Sequence, residues 1–309
     1  MAERVAICVA TYRRPVGLER LLLSLNGLRF ARTEPAEIEV IVVDNDPGRS
    51  AAAVCAAIAP WLRWALRYEH EPRRGVSQAR NRALACAMEH ADWISFLDDD
   101  EEASPHWLDE LLYVQATYEA DAVAGPVLPR FEERPPAWVA KGHFFDLPRY
   151  PTGARMRDCG SGNVLLRTEA LRAMPRFFDD RLGLVGGEDT EFFVRFVHTG
   201  FSLVWADEAL AHEWVPPSRV SARWILQREY RTSLTWSLCE RILHPAPAAR
   251  VGRVAKGFVR IAQGALLLPT ALQGRHALVR ALRYMARGMG HVAGVAGLEF
   301  QEYRVVHGR

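Results

Sequence analysis

The segment "FLDDDEEASPHWL", residues 96–108, sets five carboxylates in a row directly behind an apolar run, where their mutual repulsion needs an offset. Ser104 followed by Pro105 reads as the N-cap and first-turn residue of a helix through about residue 119, and carboxylates near a helix N-terminus gain from its dipole. That covers Glu101 and Glu102 and leaves Asp98, Asp99 and Asp100 crowded at a strand end. In extended backbone, side chains two apart share a face, so Asp98 and Asp100 can point together at one divalent cation while Asp99 turns elsewhere or bonds to backbone. Oxygen ligands from one or two carboxylates, with the remaining positions left to waters or phosphate oxygens, suit Mg²⁺ or Mn²⁺.

Further polar clusters interrupt the apolar pattern. Thr11-Tyr12-Arg13-Arg14 and Asp44-Asn45-Asp46 each close a β-branched run. In "GSGNVLLR", residues 160–167, small residues precede an apolar strand and let backbone approach a ligand closely. In "GLVGGEDTEFFVRFVHTG", glycines lead into an amphipathic helix with Phe192, Phe193 and Phe196 on its apolar side and Gly200 as its stop. Glu188 and Asp189 open that helix, where its dipole alone would favour them. In "LAHEWVPP", His212 is of a type that more often serves structure than ligation, and Trp214 either packs or binds sugar.

The elements that must position these residues are short. "RVAICVAT", "IEVIVVDN", "LRWALRYEHE" and "DWISFLDD" read as strands, separated by helical stretches at 15–28, 49–59 and 76–90. Such βαβαβαβ alternation, with strands apolar enough to be buried on both faces, implies a mostly parallel sheet flanked by helices. Ligands bind such sheets at the strands' carboxyl ends, where these clusters fall.

Composition fits this class. The 309 residues are 49% hydrophobic, enough for one large core or two modest ones. The apolar run at residues 5–10 is too short and too early for a signal peptide or a spanning helix, so a cytoplasmic location is expected. Five cysteines without CxxC spacing read as reduced thiols with no metal role. The overall charge of +2 hides an asymmetry: residues 241–309 hold 11 Lys/Arg and 2 Asp/Glu, a balance of +9, which leaves −7 for residues 1–240. A basic tail on an acidic body points to nucleic acid, to a lipid surface, or to a solvated helix pair. The tail's longest charge-free stretch, 261–274, contains Pro269 and is too short to span a bilayer. Val254, Phe258, Ile261 and Ala265, and then Leu278, Leu282 and Met285, recur at helical spacing among basic residues, as in a helix lying on a membrane or packing on the protein.

"ATYRRP", "VVDNDP", "GVSQARNRAL", "FLDDDEE", "GSGNVLLR" and "GGEDTEFFVRF", in that order over about residues 4–240, resemble the inverting family 2 glycosyltransferases of GT-A fold, of bacterial exopolysaccharide or cell-envelope type and similar to succinoglycan-type glucosyltransferases. The resemblance implies a nucleotide diphosphate sugar donor, most often a UDP-sugar. Tyr12 would stack on the base, with Thr11 and Arg14 in the same donor pocket, and Asp44 would accept from the uracil imide N–H. Arg80 would face base and diphosphate, where its cationic fork suits phosphate oxygens. Asp98, Asp99 and Asp100 would hold the donor through Mn²⁺ or Mg²⁺ on Asp98 and Asp100, with His212 near that metal. Gly160, Gly162, Asn163 and Trp214 would border the acceptor. Asp189 would be the general base and Glu188 would help seat the acceptor. Blander readings remain: Tyr12 as core filler, Asp44 as a turn-former and Arg80 as a surface arginine. "QREYR", residues 227–231, departs from the QxxRW element of processive synthases, so one sugar per encounter is expected.

The expected architecture is α/β with a GT-A catalytic domain at 1–240, its nucleotide-sugar half at about 1–128 and acceptor half at about 129–240, and a basic helical tail at 241–309. The expected partners are a nucleotide-sugar donor, a saccharide or polyprenyl-linked saccharide acceptor, and an anionic inner-membrane surface met peripherally through the tail, with no nucleic acid. The competing functions are a nucleotidyltransferase, against which stands the lack of a glycine-lysine phosphate loop at the first strand, and a non-catalytic sugar-nucleotide or membrane-binding scaffold.

Overall fold

A computed structural model describes residues 3–243, 246–298 and 300. The expected alternation is present as β1 (Arg4–Thr11), α1 (Pro15–Leu25), β2 (Glu37–Asp44), α2 (Ala52–Ile58), β3 (Ala65–His70), α3 (Val76–Ala87) and β4 (Trp93–Asp98). There follow β5 (Glu101–Ala103), α4 (Trp107–Tyr118), β6 (Ala122–Ala124), β7 (Val127–Phe131), α5 (Ala137–Gly142), β8 (Asn163–Arg167), α6 (Thr168–Ala173), α7 (Glu188–His198), β9 (Leu203–Trp205) and β10 (Ala211–Val215). Three long helices close the described chain: α8 (Ala222–Leu243), α9 (Pro247–Leu267) and α10 (Arg275–Val295).

Seven strands form one sheet in the order β3-β2-β1-β4-β8-β6-β9, parallel from β3 to β4, with β8 antiparallel to both its neighbours. The Val and Ile side chains of β1 and β2 are buried on both faces, Val5, Val9, Val40 and Val42 in one layer and Ile41 and Val43 in the other. The chain steps outward from β1 to β3 and then returns to the other side of β1, so the strand order reverses between β1 and β4. A crevice opens at the carboxyl ends of such a switch point. There Ala10 registers with Asp98 and Thr11 with Asp44, which brings three of the polar clusters together.

One expectation is corrected. The helix expected from Ser104 starts only after His106, and Asp109 and Glu110 occupy its first turn. Glu101 and Glu102 belong instead to β5, which pairs antiparallel with β10 in a second sheet of order β5-β10-β7. Backbone pairing, not the helix dipole, therefore fixes the second half of the acidic run. The proposed boundary at residue 240 lies near the end of α8, and earlier in that helix Thr235 packs so closely on Gly187 that a Cβ on the glycine would come within 2.0 Å of it.

The tail is one layer behind another. α10 packs against both α8 and α9, while α8 and α9 barely touch. Gly288 makes the α9 contact possible, since a Cβ there would lie 2.4 Å from the Gly257 carbonyl oxygen. Of the expected α9 stripe, Ile261 meets Gly288 of α10, whereas Phe258 and Ala265 face outward. Met285 of the α10 stripe packs on Gly264 of α9. The parts of the tail at 244–245, 299 and 301–309 lie outside the described residues. Among the described residues no helix is long and apolar enough to cross a membrane.

Candidate active site

The switch-point crevice is a cavity of about 270 Å³. Thr11, Tyr12 and Arg14 line it from the end of β1, Asn45 from the end of β2, Arg80 from α3, and Asp98, Asp99 and Asp100 from the end of β4. The far wall comes from the C-terminal half: Glu213 of β10, Arg219 after it, and Trp224, Arg228 and Arg231 of α8.

Arginines supply much of the offset that the acidic run requires. Arg14 Nη1 donates to Asp99 Oδ1 (2.8 Å) and to Asp100 Oδ2 (3.0 Å). Burial alone would lower the Arg14 pKa, but Asp99 and Asp100 overcome it and raise the group above its usual value. Asp99, buried, also accepts from the Thr11 hydroxyl at 2.8 Å and from the Tyr12 backbone N–H at 3.4 Å. Arg219 bridges Asp100 (3.0 Å) and Glu213 (2.5 Å). Arg80, buried on α3, donates to Asp98 Oδ1 (2.9 Å) and pairs with Glu188, so it is no surface arginine. Burial and the nearby Asp98 push the Glu101 carboxyl well up, and that carboxylate accepts from the Asp98 backbone N–H at 3.0 Å.

A divalent cation fits what remains. Asp98 keeps 42% of its side chain exposed, and it shares the cavity wall with Asp100. Among the described residues no three His, Cys, Asp or Glu side chains are grouped to enclose a metal. Asp98 and Asp100 are the carboxylates that could hold a hard cation whose other positions are filled by phosphate oxygens and water.

Several expected residues take other places. Asp44 is buried and does not line the cavity: its Oδ1 accepts from the Asp46 N–H, and its Oδ2 accepts from the Ala51 N–H and the Tyr68 hydroxyl. It shapes the turn, and Asn45 reaches the cavity instead, its amide donating to the Glu71 and Arg73 carbonyls and its Oδ1 accepting from the Gly75 N–H. Glu188 is buried and paired with Arg80, behind the cavity lining. Asn163 is buried too, with its amide donating to the Pro126 and Ala209 carbonyls and accepting from Trp107 Nε1. Alternation along β10 sends Glu213 into the cavity and its neighbours to the opposite face. His212 therefore lies away from the carboxylates beside Arg130 and Glu102, with burial and then Arg130 lowering its pKa. Trp214 is clasped by Arg20 and Arg130, whose guanidiniums stand 4.7 and 5.3 Å from its ring.

Asp189 stands just outside the lining at the start of α7, half-buried, and its Oδ1 accepts from the Thr190 N–H at 2.6 Å. Burial raises its pKa, Arg80 opposes the rise, and Asp98 adds to it. Gly160 leaves open the space beside it, since a Cβ there would lie 3.9 Å from Asp189 Oδ2. Gly162 abuts the acidic run, where a Cβ would come within 2.4 Å of Glu101 Oε1 and 3.1 Å of Asp98 Oδ2. Sequence reasoning missed Glu213, Arg219, Trp224, Arg228 and Arg231. The spacing 224, 228, 231 puts the last three on one helix face, and that was the available signal.

A family model described as glycosyl transferase family 2 matches residues 6–183. The chain belongs to glycosyl transferase family 2. The succinoglycan biosynthesis protein ExoM of Rhizobium meliloti strain 1021 is 34% identical to this transferase over 307 residues, which cover 97% of this chain and 95% of ExoM. Residues 1–349 of S. aureus TarS share the fold at a TM-score of 0.55 and 16% identity, over 99% of this chain and 95% of that one. GalNAc-T7 with UDP, GalNAc and Mn²⁺ does so at 0.58 and 13%, over 78% and 48%. The transferase thus has the GT-A architecture that its motifs imply, and it moves sugar from a nucleotide-sugar donor.

Proposed function

We propose that the chain is an inverting hexosyltransferase that moves a hexose from a UDP-sugar to a saccharide or polyprenyl-linked saccharide in exopolysaccharide or cell-envelope synthesis. The observation that carries this is the meeting of the β1, β2 and β4 ends with α3 on one cavity, with Asp189 immediately behind it. The likeness to ExoM supports the pathway, and that to TarS, whose structure in complex with UDP has a TM-score of 0.54 and 18% identity to this chain, supports the base.

Tyr12 presents its ring to the nucleoside base, with Thr11 and Asn45 beside it. Arg80 and Arg14 face the diphosphate, each anchored by carboxylates so that little ordering remains to be done on binding. Mn²⁺ or Mg²⁺ held by Asp98 and Asp100 would neutralise charge on the leaving nucleoside diphosphate. Gly160 leaves room for a sugar beside Asp189, while Gly162 lets β8 approach the acidic run. Asp189 takes the acceptor hydroxyl proton as the acceptor oxygen bonds to the anomeric carbon. The bond from that carbon to the diphosphate oxygen breaks on the opposite side, and its electron pair leaves with the diphosphate.

Calorimetric titration of UDP with and without Mn²⁺ tests the donor site. UDP should bind more tightly with Mn²⁺, and Asp98→Asn or Asp100→Asn should remove that gain. Absence of UDP binding under either condition would overturn the assignment.

A further inference from the structure

The outermost helix, α9, turns an apolar face to the outside. Val251, Ala255, Phe258, Val259, Ala262 and Leu266 follow one another at helical spacing on it, and all are exposed, Val251 by 70%, Phe258 by 61% and Leu266 by 80%. Leu272, in the turn that follows, is 97% exposed. Isolated surface leucines need no explanation, but a contiguous ridge of this kind marks a contact surface.

The charges around the ridge select its partner. Residues 241–298 contain no Asp or Glu. Of their basic side chains, Arg253 is paired with Glu240, and Arg283 and Arg287 with Glu229, inside the helical layer. Arg250, Lys256, Arg275 and Arg280 are exposed, and Arg260 is half-exposed. A second copy of this chain would set this basic surface against itself. An anionic bilayer complements it, with the apolar side chains at the headgroup boundary and the cations among the phosphates.

We infer that α9 and the turn after it are the membrane-contact surface of this protein, lying in the interface of an anionic bilayer without crossing it. α10 stands between most of α9 and α8, whose face lines the cavity, although α8 and α9 meet near their junction where Arg253 pairs with Glu240, so the exposed ridge and the site lie on different layers of the helical tail. That layering suits an acceptor whose reacting sugar stands clear of its lipid anchor. That consequence rests on the transferase reading, whereas membrane contact does not.

The test sediments the full-length chain with vesicles of phosphatidylglycerol and phosphatidylcholine, or of phosphatidylcholine alone, at low and raised salt. It is run beside the double variant Phe258→Glu, Leu266→Glu, and UDP affinity and solution mass are read on the same samples. The wild type should bind the anionic vesicles, less so in salt, and the variant should partition roughly tenfold or more weakly with its UDP affinity unchanged. Equal partition of the variant, no preference for anionic vesicles, or a dimer that the substitutions dissociate would each overturn the inference. Loss of UDP binding in the wild type would count against the donor site alone, since vesicle binding is read separately.

Discussion

Asp189 is the proposed general base, and its surroundings give it two testable signatures. Asp189→Asn should leave UDP affinity nearly unchanged yet lower sugar transfer by at least about 100-fold, the lower end of what a positioned general base contributes. Burial holds its folded pKa above that of an ordinary aspartate, so transfer should fall on acidification at a higher pH than an unperturbed carboxylate would give. The stability sign is opposite. A raised folded pKa contributes stability below the unfolded pKa that is lost as pH rises, so Asp189→Asn should melt at a higher temperature than wild type at neutral pH. Glu188→Gln acts through Arg80: breaking a buried pair should cost on the order of 3 kcal/mol, read by denaturant titration, and weaken UDP binding rather than acceptor affinity. At this scale the sequence disclosed residue types and strand-end positions, and it offered the turn-forming reading that the local bonds of Asp44 to the Asp46 and Ala51 N–H groups match. It could not disclose that the Asn163 amide is spent on the Pro126 and Ala209 carbonyls, because those partners come from loops distant in the chain.

Among the elements, β10 decides which side chains face the donor. His212→Ala should leave Mn²⁺-dependent UDP binding at the wild-type level, while Glu213→Gln should weaken it by removing the carboxylate that helps hold Arg219 beside Asp100; parallel calorimetric titrations check both. The approach of β8 to the acidic run is equally exacting. Gly162→Ala forces a Cβ against the buried Glu101 carboxyl and should cost about 1–3 kcal/mol in thermal or denaturant unfolding. The long Val- and Ile-rich strands were legible from their pattern, as were α3 and α7. β5 was not: three residues of an acidic run carry no strand signal, and only pairing with β10, more than a hundred residues later, makes them one.

For the whole molecule, the order β3-β2-β1-β4 places the cavity, and α8 completes its wall. The proposed division near residue 240 falls close to the end of α8, which carries Trp224, Arg228 and Arg231 into the site and buries Leu234 and Leu238 farther along. A chain ended at 240 would lose α10 from against α8 and should be less soluble and melt earlier than the full chain. The central claim is catalysis of sugar transfer from a nucleotide diphosphate sugar, and hydrolysis of such donors by the full-length protein tests it without knowledge of the acceptor. Wild type with Mn²⁺ should release UDP from a UDP-hexose faster than from other nucleotide sugars, with the rate falling on chelation and in Asp189→Asn. Cleavage of no nucleotide sugar, together with joining of a nucleoside triphosphate to a sugar phosphate, would contradict it.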